Sequence, residues 1–229
     1  MQLRTLALAL IASSVTLASC GSDDVTGTDA NRATVQFINA TAASLDVAQG
    51  GSVATGNGAL SYGTTSLCIV TDASNSNLAV RETGTSTALA GFTPAFQPGG
   101  NYSVIAYSGA PGEIRFGTVS NAFTASAGQG GLRVFNAAGA GTSYDIYVSA
   151  PGASSATAGA NNVGYGSGSS YFNVVAGTAQ QVRITSAGTQ AVVLDVGNRT
   201  FTPGQNVTLV ITPPFTGSPA PRAFYVTGC

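Results

Sequence analysis

Short runs in which apolar and polar residues alternate recur from about residue 33 to the end of the chain. In TVQFINA (34–40), Val35 and Phe37 point one way and Gln36 the other. LRVFNAA (132–138) repeats this with Leu132 and Val134 set against Arg133. Leu78 and Val80 alternate in the same manner, as do Val182 and Ile184, and the series Tyr102, Val104, Ala106 matches Val207, Leu209, Ile211. A period of two sends successive side chains to opposite faces of a strand, so one face of each run is expected to be buried and the other solvated. Gly, Pro, Asn, Asp and Ser fill the intervals, and these are turn residues. No stretch carries an apolar stripe at helical spacing over three turns. The pattern predicts an all-β chain of many short strands and almost no helix.

The strands are written twice. TVQFINA (34–40) answers LRVFNAA (132–138), with Asn39 laid on Asn136, and SLDVA (44–48) answers SYDIY (143–147), pairing Asp46 with Asp145. SYGTTS (61–66) answers GYGSGS (164–169), and NLAVRETGT (77–85) answers QVRITSAGT (181–189). FQPGGNYSVIAY (96–107) answers FTPGQNVTLVIT (201–212), and IRFGTVS (114–120) answers PRAFYVT (221–227). The separation between matched segments widens steadily along the chain, as small loop insertions produce and chance matches do not. A copy of roughly 95 residues with seven or eight strands has the size of a β-sandwich. The expected organisation is two tandem immunoglobulin-like β-sandwich repeats, 33–125 and 131–229, with the boundary in SAGQGG (126–131). Pro98-Gly99 and Pro203-Gly204 mark the turn into the same strand of each copy.

Each copy thus has a strand ending in Asn-Ala, an Asp-containing strand (DV or DIYV), a Tyr-Gly, and a Pro-Gly before a Val-rich strand. This set resembles the bacterial surface domain of unknown function, family four-three-nine-seven. The resemblance covers nearly the whole chain after residue 32 and is nearer in the second copy. The first departs from it at DVAQGG (46–51), and both lack the Ser-Pro-Asp-Ala-Pro segment common after the Asn-Ala. The resemblance implies an exported, often lipid-anchored protein with such domains in tandem. It brings no catalytic residues.

The amino terminus carries one positive charge, Arg4, then a short apolar run from Leu6 to Ala18. That is the plan of a secretory signal, and it is too short and too interrupted by Ser and Thr for a span of about 20 apolar residues. The segment LASC (17–20) resembles a bacterial lipobox, which implies cleavage after Ser19 and a diacylglycerol on the Cys20 thiol. The alternative is an ordinary signal peptide with an incidental cysteine. On the lipobox reading, residues 1–19 are a signal peptide and 20–32 a lipid-anchored flexible tether. Twelve such coil residues span roughly 20 Å. Gly21 after the cysteine then favours the outer membrane of a double-membraned bacterium. The membrane is a partner through the amino-terminal lipid, and the location is the cell envelope.

Composition narrows the chemistry. The eight basic residues are all Arg, and Lys, His and Trp are absent. Only 7% of residues are charged and the formal net charge is −1, so no basic face exists for phosphate, and no nucleic-acid partner is expected. Without His or Lys, a nucleophilic triad has no base. The common transition-metal sites lack their ligands too, and no cofactor is expected. Glu82, Glu113, Asp72 and Asp195 are available as glycosidase carboxylates, but nothing in the spacing singles out two of them. The chain is therefore expected to be no enzyme.

Three expectations remain. Cys68 and Cys229 are an even pair in an exported protein, either a disulfide or two free thiols with Cys68 inside a strand LCIV (67–70). Asp46 and Asp145, which recur in both copies, either contact a ligand or hold a neighbouring turn. Tyr107, Tyr147, Tyr165 and Tyr171 are either sugar-stacking platforms or core and edge residues. Asp145, Tyr147 and Tyr165 are the ligand-contact candidates. The sequence leads to a non-enzymatic envelope lipoprotein displaying two modules for adhesion or protein interaction. A self-associating surface-layer subunit and a glycan-binding module are the alternatives.

Overall fold

Glycine- and asparagine-rich turns cut the chain where the alternation pauses. The computed structural model describes residues 31–89, 92, 95–153, 158–214 and 218–229. The expected signal peptide (1–19), Cys20 and all but the last two residues of the expected tether (20–32) lie outside the described residues. The strands are β1 (Arg32–Asn39), β2 (Leu45–Gln49), β3 (Ser52–Val53), β4 (Ile69–Asp72), β5 (Leu78–Glu82), β6 (Asn101–Ser108) and β7 (Ile114–Ser120). They continue with β8 (Gln129–Asn136), β9 (Ser143–Ser149), β10 (Ala158–Gly164), β11 (Phe172–Val175), β12 (Ala179–Ser186), β13 (Val192–Thr200), β14 (Asn206–Thr212) and β15 (Arg222–Thr227). The protein is all-β, as the alternation requires.

The strands form two equivalent sandwiches. In the first, a sheet ordered β4-β1-β6-β7 faces one ordered β3-β2-β5; in the second, β11-β8-β14-β15 faces β10-β9-β12-β13. The first strand of each half runs parallel to the strand after the Pro-Gly. Thr34 lies opposite Asn101 and Asn39 opposite Ala106, just as Gly131 lies opposite Asn206 and Asn136 opposite Ile211. Period-two alternation is the same for parallel and antiparallel strands, so it does not disclose this pairing. The residues read as inward, joined by Leu45, Val47 and Ile146, fill the two cores. Val35, Phe37, Leu45, Val47, Val80 and Val104 pack in the first. Leu132, Val134, Ile146, Val182, Ile184, Leu209 and Ile211 pack in the second.

The expectation of a solvated outer face fails for one sheet of each half. Gln36 and Arg133, read as facing water, are 8% and 2% exposed. The cause is that β4-β1-β6-β7 and β11-β8-β14-β15 lie on each other and share a third apolar cluster. Ile38, Ala40, Ile105 and Tyr107 meet Phe135, Ala137, Val210 and Val226 there, with Val119, Tyr165 and Phe224 packed around them. The unbroken runs VIAY (104–107) and LVI (209–211) are the sequence trace of strands buried on both faces. Complete burial of side chains such as Phe135, Ile38 and Ile105 contributes about 1.5–3 kcal/mol each.

Cys68 and Cys229 form a disulfide with Cα atoms 5.8 Å apart. Cys68 is not inside a strand: β4 begins at Ile69, and both cysteines are exposed. The last strand, β15, stays in its own sheet beside β14. Only the residues after it cross to the first half, where Asn101 Nδ2 donates to the Cys229 carbonyl at 2.6 Å.

Candidate functional site

The asparagine that ends β1 and β8 organises the loop end of each half. Asn39 is buried, and its amide donates to the carbonyls of Ala43 and Leu60, both at 2.7 Å, while its Oδ1 accepts the Thr41 N–H at 2.8 Å. Asn136 donates to the carbonyls of Val163 (3.0 Å) and Thr142 (3.2 Å) and accepts the Ala138 N–H at 3.0 Å. Each asparagine's own carbonyl then accepts the N–H of the glycine in the Tyr-Gly pair, Gly63 at 2.8 Å and Gly166 at 2.7 Å. Those glycines have φ of 76° and 73°, which other residues adopt only at a cost. The result is a loop that turns its tyrosine into the other half of the molecule.

Tyr62 crosses to the second half. Its hydroxyl lies 2.7 Å from Thr212 Oγ1, its ring meets Phe224 edge-on at 5.5 Å, and the Arg222 guanidinium sits 4.1 Å above it. Tyr165 crosses the opposite way: its hydroxyl donates to the Ser108 carbonyl and its ring stands perpendicular to Tyr107 at 5.4 Å. Burial pushes the hydroxyls of Tyr107 and Tyr165 above the usual phenol range. Tyr165 is therefore a residue of the seam between halves and not an open stacking ring, and Tyr107, 7% exposed, is buried there as well. Tyr171 is also occupied, stacked on Phe123 at 5.2 Å with the Arg133 guanidinium 4.6 Å from its ring. Tyr147 differs. It is half-buried, alternates with core Ile146, and lies opposite Ala158 and Arg183 on the outer face of its sheet.

The paired aspartates hold backbone. Asp46 accepts the Ala59 N–H at 2.7 Å and the Thr83 hydroxyl at 2.9 Å; Asp145 accepts the N–H groups of Asn162 at 2.7 Å and Gly188 at 2.8 Å. Ala59 (φ 53°) and Asn162 (φ 50°) are the non-glycine residues with left-handed backbone among the described residues. The Ala59 N–H, more than any other group, holds the Asp46 carboxyl below its ordinary value. Both carboxylates are engaged by neighbouring groups within the fold.

Arg133 anchors the chain between the halves. Its Nε donates to Thr208 Oγ1 at 2.8 Å, one terminal nitrogen to the Ser120 carbonyl at 2.5 Å, and the other to Asn121 Oδ1 at 2.5 Å. Burial lowers its pKa to about 10.

These contacts orient the two halves alike. The starts of β1, β6, β8 and β14 and the ends of β7 and β15 share one pole, where Cys229 meets Asn101 and the Phe123 carbonyl accepts from Asn206 at 2.8 Å. The Tyr-Gly loops share the other. Two open depressions lie at this loop pole. One of about 680 Å³ is lined by Thr142, Ser143, Ser186, Ala187, Pro219 and Pro221. The other, of about 620 Å³, is lined by Leu89, Tyr107, Pro111, Glu113, Arg115 and Phe116. In the latter, Glu113 and Arg115 form an ion pair at 2.9 Å, and Arg115 holds the Glu113 carboxyl low. Among the described residues no three His, Cys, Asp or Glu side chains gather to hold a metal ion, and no helix is long and apolar enough to cross a membrane.

Fold and seam together define a tandem β-sandwich protein whose repeats are packed sheet on sheet. A family model described as Domain of unknown function (DUF4397) matches residues 33–147 and 130–227, and the chain belongs to that family. A comparison with curated proteins found no match.

The sequence missed Tyr62, Phe123, Arg133 and Phe135 as architecture-bearing residues. Tyr62 and Phe135 carried a signal: one is the repeat partner of Tyr165, and the other follows Val134 in a run too apolar for a half-solvated strand. Phe123 and Arg133 carried none.

Proposed function

We propose that this chain is a non-enzymatic cell-envelope lipoprotein, anchored by a lipid on Cys20, that presents its loop pole for contact with another envelope component. The observation that carries this is the polarity of the fold. β1 begins at Arg32, at the pole opposite the two depressions, so a tether ending there directs the loops of both halves away from the lipid. The seam keeps the loops of the two halves side by side, as a display surface requires. The absence of His and Lys from the sequence supports a binding role over a catalytic one.

The test is photocrosslinking on cells that make the protein, with the probe placed at Gly112 or Ala187 on the loop pole or at Gly99 on the tether pole. Crosslinks to one partner from Gly112 and Ala187, with none from Gly99, support the reading. Crosslinks from Gly99 alone refute it. Crosslinks between copies of this chain would instead mark it as a surface-layer subunit.

A glycan-binding reading rests on Tyr147. It lies opposite Arg183, whereas the matching cross-strand pair of the first half is Ala48 and Ala79. The second copy alone thus sets an aromatic ring beside a guanidinium on an outer sheet face. Loss of retention on immobilised envelope glycan in Tyr147→Ala would favour this reading.

A further inference from the structure

The contacts across the seam come in exchanged pairs. Tyr107 lies opposite Arg115 on the neighbouring strand, and Thr212 lies opposite Arg222 in the same way, so these residues occupy matching places in the two halves. Tyr62 of the first half touches Thr212 and Arg222 of the second. Tyr165 of the second touches Tyr107 of the first and feels the charge of Arg115. Asn101 captures the carbonyl two residues past β15, and its match Asn206 captures the carbonyl three residues past β7. Asn121 and Gly228, each the first residue after the last strand of its half, meet: a methyl placed on Gly228 would lie 2.9 Å from Asn121 Nδ2.

When residue i meets residue j and the equivalent of j meets the equivalent of i, the surface is isologous, the form taken by a two-fold dimer. Where the halves differ, the differences compensate. Phe135 stands where the first half has Ile38, and a methyl on the facing Gly117 would run into the Phe135 ring. In the exchanged direction the smaller Ile38 is matched by Phe224 in the place of Gly117.

We infer that this seam is a self-sufficient association surface, whose partner for each repeat is the equivalent face of the other repeat, so that the chain is a fused two-fold dimer. The linker and the disulfide raise the effective concentration of the halves, but the seam is what selects the pairing. A chain cut between its repeats therefore stays together without either covalent link.

The experiment uses the whole protein with a recognition sequence for a site-specific protease inserted between Ala127 and Gly128, an exposed turn. The purified protein is cleaved, the disulfide is reduced, and the product is sized at about 10 μM and again after serial dilution, with far-UV circular dichroism recorded on each sample. The expected result is a single species of both fragments with β-sheet signal intact, dissociating only on dilution. Gly117→Leu in the same background drives a side chain into Phe135. It is expected to weaken the pairing by at least tenfold while the uncut variant keeps the fold of both halves. Separate folded fragments at the starting concentration would overturn the inference, as would unfolding of the cut wild-type halves. Unchanged pairing in Gly117→Leu would place the association outside the seam and overturn it too.

Discussion

Phe123, three residues past β7, and Cys229, two residues past β15, do the same mechanical work in the two halves. The Phe123 carbonyl accepts from Asn206 at 2.8 Å and the Cys229 carbonyl from Asn101 at 2.6 Å. Phe123 then stacks on Tyr171, the residue before β11, whereas Cys229 bonds to Cys68, the residue before β4. An aromatic stack in one direction and a covalent bond in the other each fasten the segment leaving one half onto the sheet of its neighbour.

Removing these fastenings should have unequal effects. Closing a separation of 161 residues stabilises by ~5 kcal/mol in the chain-entropy model, and measured values commonly fall to about 2–4 kcal/mol. Cys68→Ser with Cys229→Ser is expected to lose an amount in that range in urea unfolding. Phe123→Ala should lose less, about 1–2 kcal/mol, as a partly exposed aromatic pair does. Equal losses would show that the stack is not the lesser counterpart of the bond. Peptide mapping without reductant should recover Cys68 joined to Cys229.

The aspartates provide a second test, with a sign fixed by their bonds. Asp46→Asn keeps the shape but replaces a charge-assisted acceptor facing the Ala59 N–H, a change expected to cost about 1–2 kcal/mol. Ala59→Gly should partly offset that loss, since glycine takes φ of 53° without strain. The folded Asp46 carboxyl titrates below its unfolded value near 3.8. Its contribution is therefore fully present above that pH and is lost as pH falls through the folded value. Thermal melts between pH 6 and pH 2 should show the wild type losing stability faster than Asp46→Asn. A parallel decline of the two would remove the role assigned to Asp46.

The strands and many of the core residues were legible in the sequence because burial on one face imposes period two, and Val35, Phe37, Leu132 and Val134 obey it. The seam was not, because Gln36 and Arg133 are polar and read as solvated. Arg133 tolerates burial only because Thr208, Ser120 and Asn121, distant in sequence or at the linker, supply its acceptors. Tyr165, which the sequence left as either a stacking ring or a core and edge residue, has its place in the seam set by a second domain beside its loop. The parallel between Phe123–Tyr171 and Cys229–Cys68 escapes any alignment, since Phe123 and Cys229 share no chemistry and stand one place out of register.

Alkaline pH should weaken the second core. Tyr225 packs there with its hydroxyl buried, and its pKa is pushed up from 10.0 to about 12, chiefly by burial. Between these values the unfolded chain releases a proton that the folded protein keeps, so the folded state binds more protons and stability falls as pH rises. Burial shifts Tyr107, Tyr144 and Tyr165 in the same direction. Urea midpoints should therefore hold steady up to about pH 9.5 and then decline, and Tyr225→Phe should show a shallower decline. Identical pH profiles for Tyr225→Phe and the wild type would assign the loss to other groups.

The proposed anchor makes the sharpest cellular prediction, because among the described residues no helix is long and apolar enough to cross a membrane. If a lipid on Cys20 holds the protein, Cys20→Ser should move it from the membrane fraction to the soluble fraction while leaving its fold intact. The Cys68–Cys229 disulfide, still formed in the released protein, reports that intact fold. Retention of Cys20→Ser in the membrane fraction would reject the lipid anchor. It would shift attention to the exposed apolar residues Leu67, Val70 and Val175, which would then have to account for membrane attachment. Release accompanied by an intact disulfide would tie the address of the protein to one thiol and leave the two sandwiches as its soluble cargo.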